Sequence, residues 1–376
     1  MPRVADLGIK IGILPSGPSG SIIDVPGVGV GHVTVWRDEA PPPEGRGVAR
    51  TGVTVIDPGG NLFRSPVKAG GAVLNGAGEC TGFVALSEWG LLETPVFLTS
   101  TMQVGRVYDA ACELLTEEEP AVGTEDVIIP VVAECDDSFL SDARRMQVSF
   151  DDVRTALGEA RESVGGCAPA EGAVGAGTGM SALGFKGGIG SASRRIPSGH
   201  TLGALLLSNF GERARLTVDG VPVGRLLPAA DGPAAPAPAG SCIVVIATDA
   251  PLDSSACSRL ARRAGLGLAR TGSTASHGSG EIFLAFATGL RGPRFEGAGT
   301  AERPPEHSEA PLTGAALDPF FAAVVEATEE AVLNSMLMAR TVVGRDGNTS
   351  SGLPGERVRE LLREAGRLRD GLTSAW

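Results

Sequence analysis

Apolar residues along this chain follow two kinds of pattern, and each predicts a different element. Continuous β-branched and aliphatic runs predict buried strands, whereas apolar residues three and four positions apart predict helices with one buried side. The strand-like runs are TGVTVIDP, AGGAVLNGAGE, VIIPVVAE, HTLGALLLSNFG, SCIVVIATDAP and GSGEIFLAFAT. The helical segments are TGFVALSEWGLL, VGRVYDAACELL, SFDDVRTALGEARESV, SSACSRLARRAGLGLAR, a long helix from Asp318 to Met338 and a short one from Glu356. Their alternation predicts a mixed α/β fold built in layers.

Polar and glycine positions mark where these elements begin and turn. Ser149 and Asp152 have the spacing of a capping box at the start of a helix. Asp219-Gly220 predicts a tight hairpin turn. In the glycine-rich stretch GAVGAGTGMSALGFKGGIG, Met180 interrupts the G-x-G-x-x-G pattern of a dinucleotide site. We therefore expect those glycines to serve close backbone packing.

The composition excludes several classes of partner. The chain has 376 residues, enough for one large domain or two intimate ones, and a net charge of −12. That charge opposes binding to a nucleic-acid backbone, and aromatic residues, only 4% of the chain, are too few for stacking on bases. No apolar run is long enough to span a bilayer, and the N-terminal segment lacks the apolar core of a secretory signal. We expect a cytoplasmic protein with no nucleic-acid or membrane partner.

Cysteine and histidine residues are too scattered to predict a metal site. The six cysteines include no C-x-x-C pair, and the four histidines include no H-x-x-x-H pair. Walker and G-x-S-x-G motifs are absent as well. We therefore expect no metal, no cofactor, and free thiols in a reducing compartment.

The segment PAADGPAAPAPAGSCIVV changes from a Pro/Ala-rich linker to a buried strand at Gly240-Ser241. A serine hydroxyl can attack the carbonyl before it and move the acyl group from nitrogen to oxygen, after which water hydrolyses the ester. Glycine at position 240 leaves that carbonyl unhindered and tolerates a distorted backbone. The new N-terminal amine, with a pKa of about 8, can act as a base. Considered alone, however, a Gly-Ser pair is more often an ordinary turn.

Polar groups also stand at the ends of three other predicted strands. Ser279 and Glu281 are two residues apart, so both side chains lie on one strand face, where the carboxyl can orient the hydroxyl and handle a proton. Asn209 ends HTLGALLLSN, and its amide can donate to an oxyanion. Glu134 ends VIIPVVAE, where a carboxylate needs a cation such as a substrate ammonium or a buried arginine. Each residue, taken singly, also fits a purely structural role.

In combination, these segments resemble the L-aminopeptidase/D-amino-acid esterase and amidase family, which includes the β-peptidyl aminopeptidases. The resemblance runs from about residue 7 into the C-terminal region. It is carried by ILPSGPSGSIIDVPGVGVGHVTV, GGAVLNGAGECTGF, VIIPVVAECDDSFLSD, GAGTGMSALGFKGGIGSASR, HTLGALLLSNFG, GSCIVVIATDAPL and GLARTGSTASHGSGEIFLAFAT. It implies a four-layer αββα sandwich that is similar to the N-terminal-nucleophile fold but has a different strand connectivity.

The resemblance also implies that an inactive precursor cuts itself. The cut falls between Gly240 and Ser241. It divides one integrated domain into an α chain, 1–240, and a β chain, 241–376, that stay together. Relatives assemble as oligomers of such αβ units, and we expect a homo-oligomer here.

Carried over residue by residue, the resemblance implies a role for each polar group. Ser241 becomes the nucleophile, and Asn209 matches the oxyanion-hole donor. Ser279 and Glu281 match the pair proposed to handle protons, and Glu134 matches the acidic residue that holds the substrate's free amine. No metal or cofactor is implied.

This chain departs from some relatives near Glu134. Those relatives carry a tyrosine shortly afterwards, whereas here the sequence continues CDDSF. The single tyrosine, Tyr108, lies elsewhere in the chain. We expect any tyrosine role to be absent or replaced, and the two aspartates to make the pocket more acidic.

We therefore expect a self-processing serine aminopeptidase that removes N-terminal amino acids from peptides, amides or esters with a free amine. One alternative is an acyltransferase on the same scaffold, and another is an unprocessed, non-enzymatic protein that binds small molecules. Relatives that degrade nylon oligomers, and the glutamate/ornithine acetyltransferases, cut before threonine. The serine at position 241 favours the aminopeptidase branch over both.

Overall fold

The structure is a computed structural model that describes residues 1–228, 240–292, 294 and 310–368. Its strands are β1 (Gly29–Asp38), β2 (Val48–Asp57), β3 (Val67–Gly76), β4 (Leu91–Leu92), β5 (Val96–Ser100), β6 (Val131–Cys135), β7 (Ser181–Ala182), β8 (Phe185–Lys186), β9 (Gly188–Arg195), β10 (Thr201–Asn209), β11 (Ser241–Thr248), β12 (Gly280–Arg291), β13 (Val342–Val343) and β14 (Thr349–Ser350). Its α-helices are α1 (Phe83–Trp89), α2 (Val104–Glu118), α3 (Phe150–Glu162), α4 (Val223–Leu226), α5 (Ser254–Thr271), α6 (Asp318–Leu337) and α7 (Gly355–Glu364). Within these ranges, no helix is both long and apolar enough to cross a membrane.

The longer strands form two sheets. The small sheet has the strand order β1-β2-β5-β6, and the large sheet has the order β4-β3-β12-β11-β10-β9. Most neighbours are antiparallel, but β5 and β6 are parallel in the small sheet, as are β11 and β12 in the large sheet. The short strands pair as β7-β8 and β13-β14.

Three apolar cores separate four layers of structure. Between the two sheets, Ile243 of the large sheet and Leu98 of the small sheet belong to one buried cluster. On the outer face of the small sheet, Leu157 of α3 shares a cluster with Phe97. On the outer face of the large sheet, Val244 lies in the cluster that α5 and α6 complete. The order of the layers is helix, sheet, sheet, helix, which confirms the predicted αββα sandwich.

Side-chain alternation along β11 decides which residues face the space between the sheets. Ile243 and Val245 pack between the sheets, whereas Cys242 and Val244 pack beneath the helices. Because successive side chains of a strand point to opposite faces, Ser241 has the phase of Ile243 and faces the small sheet.

Two local predictions from turn and cap chemistry are confirmed. The Ser149 hydroxyl accepts the Asp152 N–H at 3.2 Å, and the Asp152 carboxylate accepts the Ser149 N–H at 2.8 Å, so α3 begins with a capping box. Asp219 and Gly220 both have positive φ, 47° and 78°, as a two-residue hairpin turn requires. The Pro/Ala-rich linker, residues 229–239, lies outside the described residues.

One predicted strand is wrong over its first residues. β6 begins at Val131, whereas the apolar run that predicts it begins at Val127. The partner strand β5 begins opposite Val131, so the preceding residues have no strand to pair with. The Ile129 N–H donates instead to the Glu93 carboxylate at 3.0 Å. The first residue of β6 is therefore determined by pairing with β5 and not by the hydrophobicity of the run.

The glycine-rich stretch packs backbone against backbone, as predicted. A Cβ on Gly177 would lie 2.5 Å from the backbone nitrogen of Ile189. A Cβ on Gly190, in β9, would overlap the carbonyl oxygen of Ala331 in α6. At Gly190 the large sheet and its covering helix are therefore closer than any side chain allows.

We expect Gly190→Ala to destabilise the protein by about 1–3 kcal/mol, because the added methyl group must push β9 and α6 apart. The matched control is Gly158→Ala in the interior of α3, where nothing lies within 4 Å of an added Cβ. There the substitution removes backbone freedom from the unfolded chain and should stabilise by about 0.5–1 kcal/mol. The denaturant midpoint of unfolding should fall in Gly190→Ala and rise in Gly158→Ala relative to wild type. Shifts of both midpoints in the same direction would contradict the prediction.

Candidate active site

Ser241 begins β11 at one end of the space between the sheets, and it is only 4% exposed. The carbonyl oxygen of the preceding residue, Gly240, accepts a hydrogen bond from the Gly280 N–H at 3.0 Å. This bond follows from the parallel pairing of β11 with β12, in which Ser241 stands opposite Gly280. A backbone N–H in this position polarises the carbonyl and can stabilise negative charge on its oxygen.

Asn209 ends β10 directly opposite Ser241 and shares the strand phase of Leu207, which packs between the sheets. Both polar side chains therefore lie on the same sheet face. The Asn209 Oδ1 accepts the Ser181 N–H at 2.9 Å, and Nδ2 donates to the backbone carbonyl of Asp136 at 2.8 Å. These partners determine which end of the carboxamide is nitrogen, and they leave one N–H of the Nδ2 group for a further acceptor.

Ser279 and Glu281 form a buried hydroxyl–carboxyl pair, as their spacing predicts. The Ser279 hydroxyl donates a short hydrogen bond to the Glu281 carboxylate. A Cβ on Gly240 would lie 3.0 Å from Ser279 Oγ, so the pair is adjacent to the Gly240-Ser241 bond. Burial raises the pKa of Glu281, while the Ser279 hydrogen bond lowers it. Its second carboxylate oxygen is buried without a hydrogen-bond partner among the described residues.

Glu134 is the penultimate residue of β6 in the small sheet and is only 4% exposed. Its carboxylate accepts the Glu79 N–H at 2.9 Å and the Thr101 hydroxyl. Burial raises the pKa of Glu134, and these two hydrogen bonds act in the opposite direction. Among the described residues, no arginine or lysine contributes to the pKa of Glu134, so none of them fills the predicted alternative role of a buried arginine. A carboxylate in this setting is suited to a cation supplied by a ligand.

Gly78 lies between Glu134 and the strand that carries Gly280. A Cβ on Gly78 would be 3.2 Å from Glu134 Oε1 and 3.6 Å from Gly280 Cα. The two sheets therefore bring the Glu134 carboxylate close to the Gly240-Ser241 bond. A side chain at position 78 would crowd the Glu134 carboxylate.

Three residues with no signal in the sequence also belong to this neighbourhood. Gly280 contributes only a backbone N–H, and Thr101 reaches Glu134 because it follows β5, the parallel neighbour of β6. Cys135 is fully buried, and its thiol donates to the backbone carbonyl of Leu207 in β10 at 3.6 Å. Burial and the charge of Glu134 raise the pKa of Cys135 well above its usual value, so the thiol stays neutral.

The single tyrosine of the chain lies in a helix, away from the residues that follow Glu134. Tyr108 belongs to α2 and packs in the outer cluster between that helix and the small sheet. No group of three or more His, Cys, Asp or Glu in the described ranges could hold a metal ion.

The four-layer sandwich, with a serine at the start of a central strand, is the arrangement of N-terminal-nucleophile hydrolases. The chain belongs to peptidase family S58, whose model matches residues 20–350. It is a serine peptidase of the aminopeptidase class, which favours an enzyme over the alternative of a non-enzymatic binding protein.

Relatives of known name agree with this assignment. The chain is 38% identical over 384 residues to the β-peptidyl aminopeptidase BapA of Sphingosinicella microcystinivorans, with 98% of this chain and 93% of that protein covered. It superposes on a β-aminopeptidase from Burkholderia sp. with a TM-score of 0.86 and 42% identity, covering 98% and 100% of the two chains. The L-aminopeptidase D-Ala-esterase/amidase of Ochrobactrum anthropi, a prototype of the serine aminopeptidases with a variant Ntn hydrolase fold, gives a TM-score of 0.86 at 36% identity, with the same coverage.

The environment of Cys135 predicts its reactivity. Because only the thiolate reacts with iodoacetamide, a buried thiol with a raised pKa should resist alkylation of the native protein at about pH 8. Cys167 is exposed and provides an internal control that should react at least tenfold faster. Mass spectrometry of tryptic peptides after a timed exposure measures both. Equal labelling of Cys135 and Cys167 would contradict the buried position of the Cys135 thiol.

Proposed function

We propose that this chain first cuts itself between Gly240 and Ser241 and then hydrolyses substrates with the new N-terminal serine. The observation that carries the proposal is the Gly280 N–H, which lies 3.0 Å from the Gly240 carbonyl oxygen. Attack by Ser241 Oγ on that carbonyl carbon breaks the C–N bond and forms an ester, which water then hydrolyses. The products are an α chain, 1–240, and a β chain, 241–376.

The Ser279–Glu281 pair is placed to handle the protons of this reaction. Attack by the Ser241 hydroxyl releases the proton on Oγ, and the Ser241 nitrogen takes up a proton when the C–N bond breaks and it leaves as an amine, so the net change moves one proton from Oγ to nitrogen. The Ser279 hydroxyl lies beside Gly240 and is hydrogen-bonded to Glu281, whose raised pKa favours holding a proton. In later turnovers the Ser241 amine, with a pKa of about 8, is a second base at the same place.

Substrate hydrolysis would use the same donors. The substrate carbonyl takes the place vacated by Gly240, and Ser241 Oγ attacks it to form an acyl-enzyme ester. The developing oxyanion is stabilised by the Gly280 N–H and by the unused N–H of Asn209 Nδ2. Water then releases the amino acid and restores the serine.

Glu134 supports a preference for substrates with a free amine. Its carboxylate has hydrogen-bond donors but no cationic partner among the described residues, and Gly78 separates it from Gly280. A substrate ammonium would complete the charge balance and place the first carbonyl next to Ser241. We propose peptides, amides and esters with a free N-terminal amine as the substrate class.

The two fragments should stay together after cleavage, because β11 lies between β10 of the α chain and β12 of the β chain. We also propose assembly into a homo-oligomer of αβ units. Leu74 and Leu266 are more than half exposed, and Leu74 lies against Gly265, so this edge offers apolar surface. The six free cysteines support a cytoplasmic location.

Replacing the nucleophile tests the proposal directly. We expect the wild-type protein to give two fragments in intact mass spectrometry, the smaller beginning SCIVV, and to hydrolyse amino-acid p-nitroanilides. Ser241→Ala should remain a single chain without activity, because no hydroxyl is available to attack Gly240. Ser198→Ala, an exposed serine at the opposite end of β10, is the matched control and should behave like wild type. A processed or active Ser241→Ala protein would overturn the assignment.

The hydrogen bond from Thr101 to Glu134 predicts a shift in pH dependence. A carboxylate that binds ammonium must be ionised, so kcat/KM falls as the pH drops through the pKa of Glu134. That bond lowers the pKa, and Thr101→Val should therefore raise it. A hydrogen bond to a charged group contributes about 1.5–3 kcal/mol. The fall of kcat/KM on the acidic side of the pH profile, here called the acidic limb, should therefore move up by about one to two pH units.

The matched control is Thr99→Val, two residues earlier in β5. The Thr99 hydroxyl donates to the Gly52 carbonyl at 2.9 Å and does not bind Glu134. When kcat/KM is measured over a pH series, the acidic limb of Thr99→Val should coincide with that of the wild-type enzyme. An unmoved limb in Thr101→Val would show that Glu134 does not control the limb.

A further inference from the structure

Lys186, at the end of β8, is a fully buried cation that the reaction proposed above does not use. Its ammonium donates to three backbone carbonyl oxygens: Gly177 at 3.0 Å, Met180 at 2.6 Å and Gly187 at 2.9 Å. All three partners are acceptors only, so the geometry fits the protonated amine with its three hydrogens.

Lysine is almost never fully buried unless it is paired, so a buried lysine needs an explanation beyond packing. Burial lowers the pKa of Lys186 to about 7, and the charge of nearby Asp137 acts in the opposite direction. Asp137 is itself buried, with one carboxylate oxygen that has no hydrogen-bond partner among the described residues. A methionine would fill the same volume without this cost, which indicates that the charge has a use.

One peptide group connects Lys186 to the candidate active site. The Met180 carbonyl that accepts the shortest of the three bonds belongs to the same planar unit as the Ser181 N–H. That N–H donates to Asn209 Oδ1 at 2.9 Å. A cation on the carbonyl oxygen fixes the plane of this unit, and it also polarises the N–H into a stronger donor.

We propose that Lys186 is a positioning residue for Asn209: through the Met180–Ser181 peptide group, its ammonium holds the Asn209 carboxamide with one N–H directed at the oxyanion. The inference rests on the proposed role of Asn209 as an oxyanion donor. Lys186 touches neither substrate nor reacting atoms, and its effect passes entirely through the orientation of that side chain.

The first test is Lys186→Met, which keeps the length of the side chain and removes the donors. The rate of self-cleavage and the kcat of the processed enzyme should each fall at least tenfold. KM should stay within twofold, since the oxyanion exists only in the transition state. Lys68→Met is the control, because Lys68 lies on β3, which two strands separate from β10, and it should leave both rates unchanged.

A second pair of variants isolates the hydrogen bond from the Ser181 N–H to Asn209, and it tests the proposal if Lys186→Met does not fold. Ser181→Pro deletes the N–H that binds Asn209, and Met180, with ψ of 149°, already has the conformation that a residue before proline requires. Ser181→Ala keeps the N–H and controls for the lost hydroxyl, which bonds Ser350 at 2.8 Å. The proline variant should slow self-cleavage at least tenfold, and the alanine variant less than threefold.

Combination with Asn209→Ala separates positioning from a general structural effect. Asn209→Ala alone should slow self-cleavage about 10²–10³-fold, as loss of an oxyanion donor does. If Lys186 acts through Asn209, Lys186→Met adds no further loss in the double variant. The inference would be overturned if the loss of rate in the double variant equalled the product of the losses in the two single variants. It would also be overturned if Lys186→Met and Ser181→Pro both cut themselves at the wild-type rate. Either result would leave the proposed function standing. A wild-type protein that neither cuts itself nor hydrolyses substrate would overturn the proposed function instead.

Discussion

The parallel register of β11 and β12 is the constraint on which the candidate site depends. It sets Ser241 opposite Gly280 and so directs the Gly280 N–H at the carbonyl of Gly240. A slip of one residue would turn Ser241 away from the small sheet and exchange every apolar contact of β11 between the two cores. The register is therefore held by the burial of side chains such as Ile243 and Val245. The hydrophobic contacts that stabilise the sandwich thus also determine the geometry of the reaction.

Charge is distributed unevenly around this geometry. The buried carboxyls of Glu134 and Glu281 have hydrogen-bond donors but no cationic partners among the described residues. The buried cation nearby, Lys186, donates all three hydrogens to backbone carbonyls. The charge balance at Glu134 would thus be completed by a ligand in the proposed reaction. An ammonium group would do so, and it is also the feature that distinguishes an aminopeptidase substrate from an internal peptide bond.

The sequence predicts those site residues that are polar and stand where an apolar run begins or ends. Asn209, Ser241 and Glu134 stand at the ends of long aliphatic runs, where a polar residue is conspicuous and a strand end is expected. Gly280 acts through a backbone N–H that every residue except proline possesses, so no sequence pattern marks it. Thr101 becomes a partner of Glu134 only when β5 pairs with β6. The same pairing explains why β6 is shorter than its apolar run predicts, since hydrophobicity reports burial and not the position of a neighbouring strand.

The position of the proposed cut at the boundary of a strand has a further consequence. Ser241 is the first residue of β11 and is held by neighbouring strands on both sides, whereas Gly240 lies outside the strand. Cleavage between them would release the Gly240 carbonyl and leave the nucleophile anchored. The Gly280 N–H would then have no acceptor, in a site whose walls are otherwise unchanged. A substrate carbonyl could then replace the one that had left, so under this proposal the precursor's own backbone would shape the place that substrates later occupy, and the donors would need no reorganisation between the two reactions.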